Sequence, residues 1–185
     1  MNNATGKKRR SQQKSTLMVE DDPDDRLLVE EAFRENRRGN ELYFVKDGEE
    51  LLNYLHHLGN YSDAEKYPTP DLILLDLNLP RMDGREALAE LKADHELRRI
   101  PVVVLTTSQA EEDVWHTYDL GVAGFITKPV TFEGLVEVIR TLSRYWFDIV
   151  ELPRGEQVKR VSTNHLAIPV QEVAFSNERY GRDES

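Results

Sequence analysis

Four kinds of side chain stand at the ends of short apolar runs in this sequence, and together they could handle a phosphoryl group. Asp76 follows Leu72-Ile73-Leu74-Leu75, Thr106 follows Val102–Leu105, Lys128 follows Gly124-Phe125-Ile126-Thr127, and Glu20-Asp21 follows Leu17-Met18-Val19. A carboxylate can act as a nucleophile and accept a phosphoryl group as an aspartyl phosphate. Such a transfer needs charge neutralisation more than covalent assistance, so a divalent ion, an amine and a hydroxyl are sufficient partners. Asp76 is the candidate acceptor, Lys128 the fixed positive charge, and Thr106 the hydroxyl that can bond a phosphoryl oxygen.

The acids upstream supply the cation. Glu20, Asp21, Asp22, Asp24 and Asp25 place five carboxylates within six residues. Two such charges ~4 Å apart repel by about 1 kcal/mol in water and about 4 kcal/mol at an effective dielectric of 20. A strand end tolerates that repulsion when a cation resides there. The ligands are hard oxygens without histidine or cysteine nearby, which favours Mg²⁺ or Mn²⁺. Glu20 and Asp21, at the strand's carboxyl end, are the expected ligands. Asp22, Asp24 and Asp25 are expected to face solvent in a helix start.

Those residues need elements that bring them together. Five apolar runs (Leu17–Val19, Leu42–Val45, Leu72–Leu75, Val102–Leu105 and Val122–Ile126) alternate with helical patterns, which predicts an α/β fold with a parallel sheet. The unbroken runs around 74 and 103 suit central strands covered on both faces. In open sheets of this kind ligands bind outside the carboxyl ends of the strands. Helix starts are marked by Asp22-Pro23, by the capping box Ser108–Glu111 ahead of Val114, Trp115 and Tyr118, and by Thr131. The last helix carries the apolar stripe Phe132, Leu135, Ile139, Leu142, Trp146. Residues 59–70 read as a long polar loop.

Charge is unevenly distributed behind the net −10. Residues 1–16 hold Lys7, Lys8, Arg9, Arg10 and Lys14 with no acid, so the segment 17–150 is more acidic than the whole. An acidic domain argues against direct nucleic-acid binding, which needs a basic face. The basic start reads as a solvated tail. No apolar run approaches membrane-spanning length, no secretory signal is evident, and cysteine is absent, so the expected location is cytoplasmic.

The motifs L-M-V-E-D-D-P-D-D at 17–25, D-L-I-L-L-D-L-N-L-P-R-M-D-G at 71–84, P-V-V-V-L-T-T-S at 101–108 and G-F-I-T-K-P at 124–129 resemble the receiver domain of two-component response regulators. The resemblance implies a doubly wound, flavodoxin-like, five-stranded parallel sheet with helices on both faces, over 16–147. Around it lie a basic tail at 1–15 and an extension at 148–185 without a separate output domain. It further implies that Asp76 takes a phosphoryl group from a sensor histidine kinase. Glu20, Asp21, Asp76 and the Asn78 carbonyl would hold Mg²⁺, and Lys128 would bind phosphoryl oxygens beside a cis bond to Pro129. Thr106 and Phe125 would form the switch, and Asn78 and Ser108 would tune phosphoryl loss. Two departures stand out: the first acid is Glu20 where aspartate is common, and Phe125 replaces a frequent tyrosine.

A narrower resemblance, to the single-domain regulators that serve bacterial phytochrome kinases, rests on D-L-N-L-P-R-M-D-G-R-E at 76–86, E-E-D-V at 111–114 and R-Y-W-F-D-I-V-E-L-P at 144–153. It implies a phytochrome kinase partner and a homodimer built on the fourth helix, fifth strand and fifth helix. Tyr145, Trp146 and Phe147 suit such an interface, since aromatics anchor contacts; alternatively they cover the monomer's own sheet edge. Three rivals remain: a phosphorelay shuttle to a histidine phosphotransfer protein, a docking scaffold that is never phosphorylated, and a Mg²⁺-dependent phosphohydrolase. The last usually carries an acid two residues after its nucleophile, where this chain has Asn78. The protein is therefore expected to be a signalling switch rather than an enzyme acting on other substrates.

Overall fold

The computed structural model describes residues 14–35 and 40–152. The basic cluster Lys7–Arg10 and most of the 148–185 extension lie outside them. Five parallel strands form one sheet: β1 (Ser15–Val19), β2 (Glu41–Val45), β3 (Leu72–Leu75), β4 (Val102–Thr106) and β5 (Gly124–Thr127), in the order β2-β1-β3-β4-β5. The helices are α1 (Pro23–Glu35), α2 (Gly48–Leu55), α3 (Gly84–Ala93), α4 (Glu111–Asp119) and α5 (Phe132–Arg144), the last continuing as a π-helical turn over Tyr145–Ile149. No helix among the described residues is long and apolar enough to cross a membrane.

Period-two alternation in the strands divides the core. Leu17, Val19, Ile73, Leu75, Val102 and Val104 pack with Leu51 of α2 and Leu88 and Leu91 of α3. Met18, Leu72, Leu74, Val103 and Leu105 point the other way, onto Val29 and Ala32 of α1 and Leu135, Val136 and Ile139 of α5. Every residue of β3 is buried, as its unbroken apolar sequence requires.

Local expectations fare unequally. Asp22 caps α1, its Oδ1 accepting from the Asp24 N–H at 2.8 Å and the Asp25 N–H at 3.3 Å. Thr131 caps α5 by accepting from the Gly134 N–H at 3.1 Å. The capping box at Ser108 does not form. Helix α4 starts at Glu111 with Ala110 at its N-cap and no side-chain cap; Ser108 lies two residues before that cap, its hydroxyl donating to Asp113 and accepting from the Ala110 N–H at 3.4 Å. Strand β5 begins at Gly124 rather than Val122, which is buried in the preceding turn. No cis peptide bond occurs among the described residues, so the bond to Pro129 is trans.

The segment 59–70 is less polar in space than in sequence. A 3₁₀ turn over Gly59–Tyr61 brings Tyr61 within 5.2 Å of the fully buried Tyr54 ring, and Tyr67 meets Tyr61 edge-on at 5.1 Å. The Tyr54 hydroxyl donates to the Pro68 carbonyl at 3.1 Å, which ties the loop to α2.

Candidate functional site at the carboxyl ends of the strands

Sheet register brings the sequence-predicted residues together. Val19 of β1 pairs with Leu75 of β3, so Glu20 and Asp76 leave the sheet as neighbours, and the Asp76 N–H donates to the Val19 carbonyl at 3.1 Å. Thr106 of β4 pairs with Thr127 of β5, and the Lys128 N–H donates to the Thr106 carbonyl at 2.7 Å. Gly84 fixes the loop behind Asp76. A Cβ there would lie 2.2 Å from the Asp76 carbonyl oxygen and 2.7 Å from Leu77 Cα, so only glycine fits.

Lys128 is the hub of the side-chain network. Its Nζ donates to Asp76 Oδ2 at 2.7 Å and to Asp25 Oδ2 at 2.7 Å, and also bonds Glu20 Oε2. Asp76 Oδ1 accepts from the Thr106 hydroxyl at 2.7 Å and from the Asn78 N–H at 3.0 Å. Glu20 is 1 % exposed and Asp76 4 %, so these are buried charges that persist only because they are paired. Burial pushes the Glu20 carboxyl above its ordinary value, an effect that its hydrogen bond and attraction to Lys128 reduce. Burial alone would lower Lys128; hydrogen bonds to Asp25, Asp76 and Glu20 outweigh it and hold the ammonium well above the usual lysine value. Lys128 is thus a permanent positive charge on Asp76.

Other expected residues occupy different stations. Asp21 and Asn78 are exposed at the rim. Phe125 is half-buried and packs on the core face that holds α2 and α3, while Thr106 already reaches Asp76. Ser108 points its hydroxyl at Asp113, with its N–H 3.3 Å from Thr106 Oγ1. Trp146 and Phe147 are partly buried against the α1/α5 core, so they do cover the monomer's own surface. Tyr145 is half-exposed and meets Trp146 edge-on at 5.2 Å. Beside Lys128 opens a cleft of about 310 Å³, walled by Asp25, Leu28, Pro129, Val130 and Phe132.

Asp25 corrects the sequence reading, since it is a partner of Lys128 rather than a solvent-facing helix acid. The first turn of α1 turns it back over the strand ends, a placement that adjacency to Glu20 and Asp21 hinted at but could not decide. Two further pairs had no signal in sequence. Arg85 grips Asp113 with Nε and Nη2 at 2.6 Å each, and Arg81 bonds the fully buried Asp47 at the start of α2. Among the described residues, no three His, Cys, Asp or Glu side chains converge as a metal cluster; the acids converge on the Lys128 ammonium instead.

Residues 16–140 match the response regulator receiver domain family. The chain is 43% identical over 129 residues to response regulator Rcp1 of Synechocystis, covering 70% of this chain and 86% of that protein. It is 36% identical over 122 residues to the probable methanogenesis regulatory protein FilR2 of Methanothrix harundinacea, covering 65% and 75%. Among solved structures, the phosphorylated cyanobacterial phytochrome response regulator RcpA superposes with a TM-score of 0.71 at 44% identity, covering 76% of this chain and 99% of that one. The Mn(2+)-bound form of Rcp1 gives 0.69 at 43% identity with the same coverage. The bacteriophytochrome response regulator RtBRR gives 0.62 at 40%, covering 77% and 86%. With the family model spanning residues 16–140 and these relatives matching the β2-β1-β3-β4-β5 sheet that carries Asp76, Thr106 and Lys128 at its strand ends, the chain belongs to the response regulator receiver family, the phosphoaccepting proteins of two-component signalling.

Proposed function

We propose that Asp76 is the phosphoacceptor of this regulator and that a sensor histidine kinase is the donor, a bacterial phytochrome being the favoured one. The observation that carries the assignment is the triple contact of Asp76 with Lys128, Thr106 and the Asn78 N–H, which leaves a buried carboxylate oriented by three donors at the sheet's ligand-binding edge. The same donors suit a phosphoryl group, whose acceptor oxygens bring about −1.5 to −2 charge into the pocket. Lys128 neutralises part of it, and Thr106 offers its hydroxyl to an oxygen. The cleft beside Lys128 gives the donor histidine a route in from the side of α1 and the start of α5. Similarity to regulators described as serving phytochromes supports the choice of partner.

The donor set fits a divalent cation. Glu20, Asp25 and Asp76 surround a single ammonium, which leaves negative charge uncompensated, and all the ligand atoms are hard oxygens. Glu20, Asp21, Asp76 and the Asn78 carbonyl would hold Mg²⁺, or Mn²⁺ as in the related Mn(2+)-bound Rcp1. When bound, the ion neutralises charge on the transferred group. The chain's own residues do the rest: Glu20 and Asp25 keep Lys128 in place, and Lys128 and Thr106 orient Asp76. We read the molecule as cytoplasmic, without direct nucleic-acid binding, and catalysing only its own phosphorylation and dephosphorylation. Phosphorylation would bias Thr106 and Phe125, and with them α4, toward one of two arrangements. Exposed Trp115, Tyr118 and Tyr145 support a homodimer through α4, β5 and α5.

The test is incubation with acetyl phosphate and Mg²⁺ followed by intact-mass analysis. The wild type gains one base-labile phosphate, and Asp76→Asn gains none. Equal labelling of the two proteins would sink the assignment. Mg²⁺ removal should abolish labelling, and Lys128→Ala should reduce it by at least about tenfold, the scale of a lost charge contact to a transferring phosphoryl group.

A further inference from the structure

Helix α3 starts from a rigid reference point. Asp83 caps it by accepting from the N–H groups of Arg85 at 2.7 Å and Glu86 at 3.0 Å, and Gly84 lies hard against the Asp76 carbonyl. Helix α4 starts without a side-chain cap. Arg85 reaches from the first start to the second and holds both Asp113 oxygens, Nε on Oδ1 and Nη2 on Oδ2, at 2.6 Å. Such two-pronged, charge-assisted pairs fix direction as well as distance. The pair is partly shielded from solvent, and hydrogen bonding to Arg85 holds the Asp113 carboxyl below its ordinary range.

What Asp113 holds in turn is Ser108. The Ser108 hydroxyl donates to Asp113 Oδ2, while the Ser108 N–H lies 3.3 Å from Thr106 Oγ1, which itself donates to Asp76. A serine hydroxyl has one proton and two lone pairs. With the proton committed to Asp113 and the Ala110 N–H 3.4 Å from the oxygen, Ser108 faces its surroundings only as an acceptor with one lone pair left, beside the residue that contacts Asp76.

We propose that Arg85 is a positioning residue for phosphoryl loss from Asp76: by fixing Asp113 it keeps Ser108 oriented as the acceptor that steadies the attacking water. The inference rests on Asp76 being the phosphoacceptor. In the step concerned, the water oxygen bonds to phosphorus and the bond from phosphorus to the Asp76 oxygen breaks. Its electron pair returns to the carboxylate, and both water protons leave with the phosphate, one passing on to solvent. Without Arg85, Asp113 swings, the Ser108 proton is free to turn toward phosphoryl oxygens, and the water loses its acceptor.

The experiment loads the full chain with radiolabelled acetyl phosphate and Mg²⁺, removes the donor, and follows label loss in wild type, Arg85→Ala, Arg85→Lys, Ser108→Ala and the Arg85→Ala/Ser108→Ala double variant. Label loss slows roughly fivefold in Arg85→Ala, the scale of one mis-set hydrogen bond, and by a similar factor in Ser108→Ala. The double variant is no slower than either single one. Arg85→Lys, which keeps charge but not the two-pronged grip, falls between wild type and Arg85→Ala. Thermal unfolding separates this from general damage, because any stability loss in Arg85→Ala persists in the Ser108→Ala background while its kinetic effect disappears. Unchanged label loss in both Arg85 variants, or multiplying effects in the double variant, would overturn the proposal. A wild type that takes up no label would overturn the phosphoacceptor reading, and this inference with it.

Discussion

Helices α4 and α5 flank the same strand, β5, yet they are held to the sheet in opposite ways. Helix α5 buries Leu135, Val136 and Ile139, packs beside α1, and opens with the Thr131 cap. Helix α4 buries only Thr117, leaves Trp115 73% and Tyr118 51% exposed, and has no side-chain cap. Its start is held by the Asp113 pairs with Arg85 and Ser108. An element fixed by apolar area is hard to move, whereas one fixed by a few polar contacts can shift when those contacts are reset. Asp76, the proposed phosphoacceptor, is connected through Thr106 and Ser108 to the second kind.

The contrast can be broken or sharpened by substitution. The largest effect is expected on the α5 side of the sheet. Leu74→Ala removes a fully buried side chain from the core beneath α1 and α5 and should cost about 2–5 kcal/mol in urea unfolding. A cost under about 1 kcal/mol would mean that this face is no firmer than α4.

Next come the caps. Thr131→Ala should destabilise by about 1 kcal/mol, whereas Ala110→Ser, which supplies α4 with the missing acceptor, should stabilise by up to about that much. If Ala110→Ser leaves the urea midpoint unchanged, the start of α4 is already satisfied by its existing contacts.

A smaller effect appears in acid. Hydrogen bonding to Arg85 depresses the Asp113 carboxyl, so its contribution is fully present above the ordinary value of 3.8 and disappears as pH falls through the folded-state value. Asp113→Asn should flatten that part of the stability–pH curve by about 1 kcal/mol or less, since the pair is partly solvated. An acid limb as steep as that of the wild type would remove Asp113 from the account. Glu20 runs the other way. Its raised carboxyl favours the fold below the ordinary 4.5 and loses that advantage as pH rises through the folded value.

The smallest effect belongs to Trp115→Ala, which should change monomer stability by no more than about 0.5 kcal/mol, because the ring is exposed. It should nevertheless weaken self-association in sedimentation equilibrium if α4 carries the dimer contact. An unchanged association constant would move the interface elsewhere.

Much of the candidate site was legible because Glu20, Asp76, Thr106 and Lys128 each close an apolar run. A polar residue that follows four or five buried ones, as Asp76 follows Leu72–Leu75, has to emerge at the sheet's edge, and in a parallel sheet all those edges lie on one side. Asp22 and Thr131 were legible as caps because capping is local. Ser108 misled for a tertiary reason: α4 begins only at Glu111, and the Ser108 side chain turns to Asp113, which Arg85 grips from another helix. The tyrosines around 61 and 67 read as loop because nothing local shows that Tyr54 awaits them.

The sequence by its own patterning marked the five strands, the burial of β3 and β4 on both faces, and Glu20, Asp76, Thr106 and Lys128 as groups that meet at the carboxyl ends, since alternation and run length act over a few residues. Only the tertiary structure decided which acids Lys128 binds, that Asp25 is among them and Asp21 stands outside, and that Arg85 links α3 to α4. Those choices depend on register and helix placement between segments far apart in the chain. A long-range contact leaves no period in sequence; it exists only once the sheet has brought its ends together.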